Sequence, residues 1–150
     1  MPARRRLLAA SSSALALAAL TGCEKPAPLV TLASGGQSVY TQANVYCFEE
    51  GTTLDSDQCA QRAQGPTRLA VRPGEPIGVD VGKELVERGW RVQFGSGEDP
   101  SNLSPVLKGK HYSTFAVQSL PPEGAALTVY TVDEDEAPTG RWLFQLVPKD

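Results

Sequence analysis

The residues of this chain that could do chemistry are few and scattered. Cys23, Cys47 and Cys59 are its three thiols, His111 is its one imidazole, and Asp133–Glu136 is its longest run of carboxylates. Thiols and imidazoles bind transition metals or act as nucleophile and base, whereas clustered carboxylates bind Ca²⁺. The surroundings of these groups therefore decide which chemistry is open to the chain.

Catalysis is not indicated by the spacing of these groups. A Gly-x-Ser-x-Gly nucleophile elbow is absent from the sequence, and Gly95-Ser96-Gly97 lacks its frame. A single histidine offers no second imidazole ligand to a metal. We predict no catalytic residue, no metal ligand and no cofactor. An enzyme would need His111 in a cleft beside a carboxylate and a hydroxyl.

The acidic run Asp133–Glu136 could supply oxygen ligands to Ca²⁺. It lies between two predicted strands, however, and Pro138 and Gly140 follow it. This context favours a solvated hairpin loop, because charge runs are usually exposed. Asp55-x-Asp57 is a weaker candidate, since the third ligand, the glycine and the distant glutamate of a calcium loop do not follow in register.

The first cysteine ends a pattern that is typical of bacterial lipoproteins. Arg4–Arg6 form a positive segment, Leu7–Leu20 form an apolar segment too short to span a bilayer, and Leu20–Cys23 resemble a lipobox. We expect residues 1–22 to be a cleaved signal peptide and Cys23 to become a diacylglyceryl cysteine at the mature N-terminus. The alternative is an ordinary cleaved signal peptide with a coincidental cysteine near the cut.

Once Cys23 is assigned to the lipobox, the other two cysteines can pair with each other. In an extracytoplasmic compartment, Cys47 and Cys59 are expected to form a disulfide that closes a loop of about a dozen residues. A redox or metal-binding pair is the alternative, but a Cys-x-x-Cys motif is absent. Residues 23–28 are predicted to be a Pro-rich tether of about 15 Å, followed by one domain at residues 29–150.

The charge of the mature chain limits its partners. Three of the 14 basic residues and none of the 17 acidic residues lie in 1–22, so cleavage leaves a formal charge of −6. The remaining arginines are scattered and form no basic stripe. This composition argues against nucleic acid as a partner and leaves the lipid, not surface charge, to hold the protein at the membrane.

Short alternating segments separated by Gly, Pro, Asn or Asp predict strands and turns throughout the mature chain. The predicted strands are Leu29–Leu32, Ala43–Phe48, Arg68–Val71, Ile77–Val81, Trp90–Gly95, Tyr112–Val117, Leu127–Val132 and Arg141–Val147. One short helix is predicted at Lys83–Arg88, closed by Gly89. Strands of this number and spacing predict an immunoglobulin-like β-sandwich of about seven to eight strands.

Alternation within the strands also predicts the core. The residues expected to face inward are Ile77, Val79, Val81, Trp90, Val92, Phe94, Trp142, Phe144 and Leu146. Both tryptophans are thus assigned to the core. A carbohydrate-binding platform would need exposed aromatic rings, for which Tyr40, Tyr46, Tyr112 and Tyr130 are the better candidates.

Four segments together resemble a family of small actinobacterial lipoproteins classed as a domain of unknown function. They are Cys23–Pro26, Val71–Pro76, Gly89–Val92 and Gly140–Leu146. The resemblance covers essentially the whole chain and implies an exported, lipid-anchored protein with a single β domain. It implies no functional residue beyond Cys23.

From these observations we expect a non-enzymatic binding or accessory module on the extracytoplasmic face of the cell membrane. Its partner would be an envelope protein or glycan, and an open sheet edge could also serve for strand addition. The alternative is a protease inhibitor on the same scaffold, presenting Gly95–Asn102 or Glu136–Arg141. An envelope enzyme is the third possibility.

Overall fold

The computed structural model of the protein describes residues 25–95 and 100–150. The predicted signal peptide and the predicted lipobox with Cys23 lie outside the described residues, as do Glu24 and residues 96–99. The described part is an all-β sandwich with one short helix, α1 (Lys83–Arg88). Its strands are β1 (Leu29–Ser34), β2 (Gln37–Gln42), β3 (Val45–Tyr46), β4 (Ala60–Gln61), β5 (Thr67–Val71), β6 (Ile77–Val81), β7 (Trp90–Phe94), β8 (Ser101–Asn102), β9 (Tyr112–Phe115), β10 (Ala125–Val132) and β11 (Pro138–Pro148).

The smaller sheet has four antiparallel strands in the order β2-β1-β6-β9. Its register places Thr31 opposite both Tyr40 and Asp80, and Asp80 opposite Tyr112. Because directly opposed residues point to the same face, these four side chains form one row across the sheet.

The larger sheet is organised around β11, the longest strand. Its main path is β4-β3-β11-β10-β7-β8, and β10 and β11 form an antiparallel hairpin. The same side of β11 pairs first with β3 at Gly140 and Arg141 and then, in parallel, with β5 from Phe144 to Pro148. The eleven residues of β11 therefore accommodate two strands in succession.

The core lies between the two sheets and contains most of the residues that alternation predicted. Val79, Trp90, Trp142, Phe144 and Leu146 are all fully buried, while Phe94 is only partly buried at its margin. The N–H group of each buried indole donates a hydrogen bond, as buried donors almost always do. Trp90 Nε1 donates to the Lys110 carbonyl and Trp142 Nε1 donates to the Pro28 carbonyl, both at 2.8 Å.

The all-β sandwich, the eight main strands and the helix at Lys83–Arg88 are confirmed, although strand ends differ by one or several residues. Gly89 follows the helix with φ 104°, and its N–H donates to the Leu85 carbonyl. The pattern missed β2, β4 and β8. Two of these are two-residue strands, and β2 is largely polar, with Thr41 as its one buried residue.

Candidate functional site

The disulfide predicted between Cys47 and Cys59 is present. Their Cα atoms are 4.3 Å apart, and both residues are buried with Val45 and Leu54 in a small cluster of their own. Burial keeps the bridge away from solvent thiols, which argues for a structural role and against the redox alternative. The bridge fixes the chain just after β3, where Phe48 and the following glutamates leave the sheet.

His111 lies at the surface of the domain. Its ring is exposed just before β9, and Nδ1 lies 3.3 Å from the Val81 carbonyl oxygen. It does not line the larger cleft described below. The imidazole therefore lies apart from the carboxylates that line this cleft.

The acidic run forms the tip of the β10–β11 hairpin, as predicted. Asp133 Oδ1 accepts hydrogen bonds from the backbone N–H groups of Asp135 and Ala137, at 3.0 and 2.8 Å. Glu134, Asp135 and Glu136 are exposed. Across residues 25–95 and 100–150, no three His, Cys, Asp or Glu side chains are grouped so that they could hold a metal ion.

The four tyrosines divide into three environments. Tyr40 and Tyr112 are exposed, at 70% and 55% of their surface, as a binding platform would require. Tyr130 is partly buried on the outer face of the larger sheet, opposite both Arg91 and Arg141. For Tyr46 the prediction of an exposed ring was wrong, because only 1% of its surface is accessible.

Tyr46 is buried because β3 directs its ring into the core. The ring packs edge-on against Phe48 and Trp142, with centroids 4.9 and 5.8 Å apart, and it lies against Gly140. Alternation within the predicted strand Ala43–Phe48 could not show this, because residues 43–47 are all buried and the segment has no period of two.

The outer face of the four-stranded sheet carries the exposed aromatic rings. Tyr40 and Tyr112 lie at opposite ends of the row that includes Thr31 and Asp80. Three strand spacings of about 4.8 Å separate the two backbones. The Tyr112 ring leans over Gly78 of β6, which brings it toward Tyr40. We call these five residues the tyrosine face.

This face also concentrates exposed apolar surface. Within the described part of the chain, the large hydrophobic side chains that remain exposed are Leu29, Tyr40 and Tyr112. Leu29 is two residues from Thr31 on β1 and therefore points to the same side of the sheet. Exposed apolar groups gathered on one face are typical of an interaction site, whereas isolated ones are ordinary.

A second candidate surface is a cleft of about 630 Å³ between α1, the segment after β3 and the β10–β11 hairpin. We call it the acidic cleft, because seven carboxylates and only three cations line it. Its charged lining residues are Lys25, Glu49, Glu50, Glu84, Glu87, Arg88, Lys108, Asp133, Glu134 and Asp135. Tyr46, Phe48, Val132 and Thr139 contribute to the same walls.

A chain of polar contacts crosses the floor of the acidic cleft. Tyr46 donates its hydroxyl hydrogen to Glu84 Oε2 at 3.2 Å, and Glu84 Oε1 forms an ion pair with Lys25 of the tether. Arg88 donates to the carbonyls of Cys47 and Phe48, at 2.9 and 3.0 Å, and lies over the Tyr46 ring. The helix is thereby tied to the disulfide segment.

These contacts perturb two ionisable groups in opposite directions. Burial raises the pKa of Tyr46 to about 12; the Glu84 carboxylate adds to this rise, whereas the Arg88 charge opposes it. Hydrogen bonding from Lys25 lowers the pKa of Glu84, assisted by the Lys25 charge and the Tyr46 hydroxyl and opposed by desolvation. At neutral pH the floor thus holds a neutral phenol, a carboxylate and two cations.

Sequence reasoning missed the acidic cleft. The one local signal was Glu84, Glu87 and Arg88, which share a helix face at i, i+3 and i+4. That signal is common on solvated helices. The other contributors are distant in sequence and come close to the helix only in the folded protein; they are Lys25, Tyr46 and Thr139.

Of the two loops considered for an inhibitor, only the second lies wholly within the described residues. Residues 96–99 of the first loop lie outside the described residues. In the second, Thr139 and Gly140 are buried and belong to β11 together with Arg141. Only the short tip at Glu136 and Ala137 lies outside the strand.

Comparison with known proteins does not assign the chain to a family. No protein-family model matches the chain, and no curated protein matches it significantly. The resemblance to actinobacterial lipoproteins therefore stays a prediction. Within the residues described, no helix is long and apolar enough to cross a bilayer.

Proposed function

We propose that the protein is a non-enzymatic binding module, anchored through lipid on Cys23 at the extracytoplasmic face of the cell membrane, and that it binds an envelope glycan on the tyrosine face. One observation carries the ligand proposal. Tyr40 and Tyr112 are both largely exposed in one row of the four-stranded sheet, with the exposed Asp80 between them.

The chemistry of this row suits a sugar chain. Sugar rings present C–H groups on their faces and hydroxyl groups at their edges. Tyrosine rings offer apolar faces to the first, and the Asp80 carboxylate accepts hydrogen bonds from the second. Two rings that lie apart on a rigid sheet fit an extended oligosaccharide better than a compact ligand.

The link between tether and domain supports the anchored geometry. The Pro28 carbonyl is held by Trp142 Nε1 in the core, so the chain becomes part of the domain at that point. Only the few residues from Cys23 to Pro28 would then separate a lipidated cysteine from the sandwich. A glycan ligand would have to lie close to the membrane surface.

The anchoring half of the proposal is tested by replacing the lipid acceptor. Cys23→Ala should move the protein from the membrane fraction to the soluble extracytoplasmic fraction, and mass spectrometry of the wild type should show a diacylglyceryl group on residue 23. A wild-type protein without this group would contradict the proposal.

The ligand half is tested by co-sedimentation of the full-length protein with insoluble polysaccharide isolated from the envelope of cells that express it. We expect Tyr40→Ala and Tyr112→Ala each to weaken binding by about tenfold or more, because each loses one stacking ring. Tyr130→Ala, on the other sheet, is the matched control and should bind like the wild type. Equal binding by all variants would exclude the tyrosine face.

A further inference from the structure

Most carboxylates of the acidic cleft form no ion pair within the described residues. Within the described residues, ion pairs engage only two of its seven carboxylates: Glu84 pairs with Lys25, and Glu87 pairs with Lys83 at 3.5 Å. Arg88 is occupied by two backbone carbonyls instead. The other five carboxylates line the same open volume together with the ammonium group of Lys108, so negative charge predominates there.

The ion-pair partner of Glu84 shows which kind of group the acidic cleft can bind. Lys25 belongs to the tether and not to the sandwich, yet its ammonium group reaches Glu84 on α1. Tyr46 donates to the other oxygen of the same carboxylate and so fixes its orientation. Both partners of the ion pair are more than a third exposed. Such a pair is weak, and another ammonium group can displace Lys25.

Thr139, one of the residues that line the cleft, has a buried hydroxyl without a partner in the described residues. Thr139 is only 2% exposed, and its Oγ1 makes no hydrogen bond within the described structure. The register of β10 and β11 shifts at this residue, because Val132 pairs with Pro138 whereas Thr131 pairs with Gly140. Thr139 therefore has no opposite residue on β10. Unsatisfied buried polar atoms are rare and call for an explanation such as a ligand.

We propose that the acidic cleft binds a primary ammonium group on an aliphatic stem, and that Lys25 is its internal competitor. The carboxylates of Glu49, Glu50 and the hairpin attract the charge, and Thr139 Oγ1 supplies a neutral acceptor. Phe48 and Val132 offer apolar surface to the stem. A lysine side chain and a free alkyl diamine share this chemistry.

This site is separate from the tyrosine face and does not depend on glycan binding or lipidation. The glycan test uses variants of the four-stranded sheet, whereas the ammonium test uses variants of the cleft. Failure of one proposal therefore leaves the other standing.

The experiment is calorimetric or NMR titration of the full-length protein with three probes. Nα-acetyl-lysine methylamide represents a lysine in a peptide, cadaverine represents a free diamine, and Nα-acetyl-norleucine methylamide lacks the ammonium group. We expect saturable binding of at least one amine and none of the norleucine probe. Binding of the lysine probe points to a peptide source, and binding of cadaverine alone points to a free amine.

Two variants separate the ligand role from a structural one. Thr139→Val should weaken amine binding by at least about threefold while leaving thermal stability unchanged or higher, because the free protein loses no hydrogen bond. Thr128→Val, a buried threonine outside the cleft, is the matched control. Lys25→Gln should strengthen amine binding by about two- to fivefold, since an exposed competing pair is removed.

The proposal is overturned if neither amine binds, or if norleucine binds as well as lysine. It is also overturned if Thr139→Val and Lys25→Gln both leave the amine affinity at the wild-type value.

Discussion

The ring of Tyr112 on β9 lies directly over Gly78 on the neighbouring strand β6. A Cβ atom at residue 78 would come 2.8 Å from Tyr112 Cε2 and 2.9 Å from Cζ, closer than a carbon atom can approach. Gly78 has no positive φ that would demand glycine. The glycine therefore makes room for the ring, and it sets where the ring lies on the tyrosine face.

Gly78→Ala should displace the Tyr112 ring and weaken glycan binding about as much as Tyr112→Ala. Stability should change little, because the added methyl group also restricts the unfolded chain. Gly65→Ala is the matched control, since open space surrounds that position. Co-sedimentation and thermal unfolding together check the prediction. Unchanged binding by Gly78→Ala would show that the ring position does not matter.

The raised pKa of Tyr46 predicts that the folded protein loses stability in alkali. Its pKa is 10.0 in the unfolded reference and about 12 in the folded protein, so folding favours the protonated phenol. The stabilisation is fully present below pH 10 and is lost as the pH rises toward 12. Each pKa unit corresponds to about 1.4 kcal/mol of free energy.

Tyr46→Phe isolates this effect. At pH 7 the variant should be less stable by about 1 kcal/mol, because the hydrogen bond to Glu84 is lost. Between pH 10 and 12 the difference should close or reverse. Urea unfolding at a series of pH values measures it, and parallel curves for the two proteins would contradict the prediction.

The disulfide should contribute about 3 kcal/mol to the free energy of unfolding, because it closes a loop with a sequence separation of 12. The double substitution Cys47→Ala with Cys59→Ala should therefore lower stability by this amount. Cys23→Ala is the control and should leave the unfolding midpoint unchanged. A loss below about 1 kcal/mol would mean that the loop is held mainly by its backbone contacts.

Arg88 should be important for stability even though it lines the open acidic cleft. Arg88→Met removes two hydrogen bonds from a charged donor to the Cys47 and Phe48 carbonyls, and we expect a loss of about 1.5–3 kcal/mol. Arg62→Met, at an exposed position, should cost less than about 0.5 kcal/mol. Chemical denaturation of both variants provides the test. Equal stability would show that the carbonyls are satisfied by water.

Several features followed from the sequence because their causes are local. Alternating apolar residues marked Ile77–Val81 and the inward face of β11, since a strand has a period of two. Gly89 marked the end of the helix, and the two cysteines that remain once Cys23 is assigned to the predicted lipobox marked a disulfide. In each case the deciding residues are close in the chain or are the only ones of their type.

Only the tertiary structure decided which distant residues meet. Tyr40, Asp80 and Tyr112 share one row because of strand register, and register between strands far apart in sequence is set by packing of the whole sandwich. Lys25, Glu84 and Thr139 meet at one cleft for the same reason. The sequence determined eight of the eleven described strands, the helix and the bridge, whereas both candidate binding surfaces arise from long-range pairing that no local pattern records.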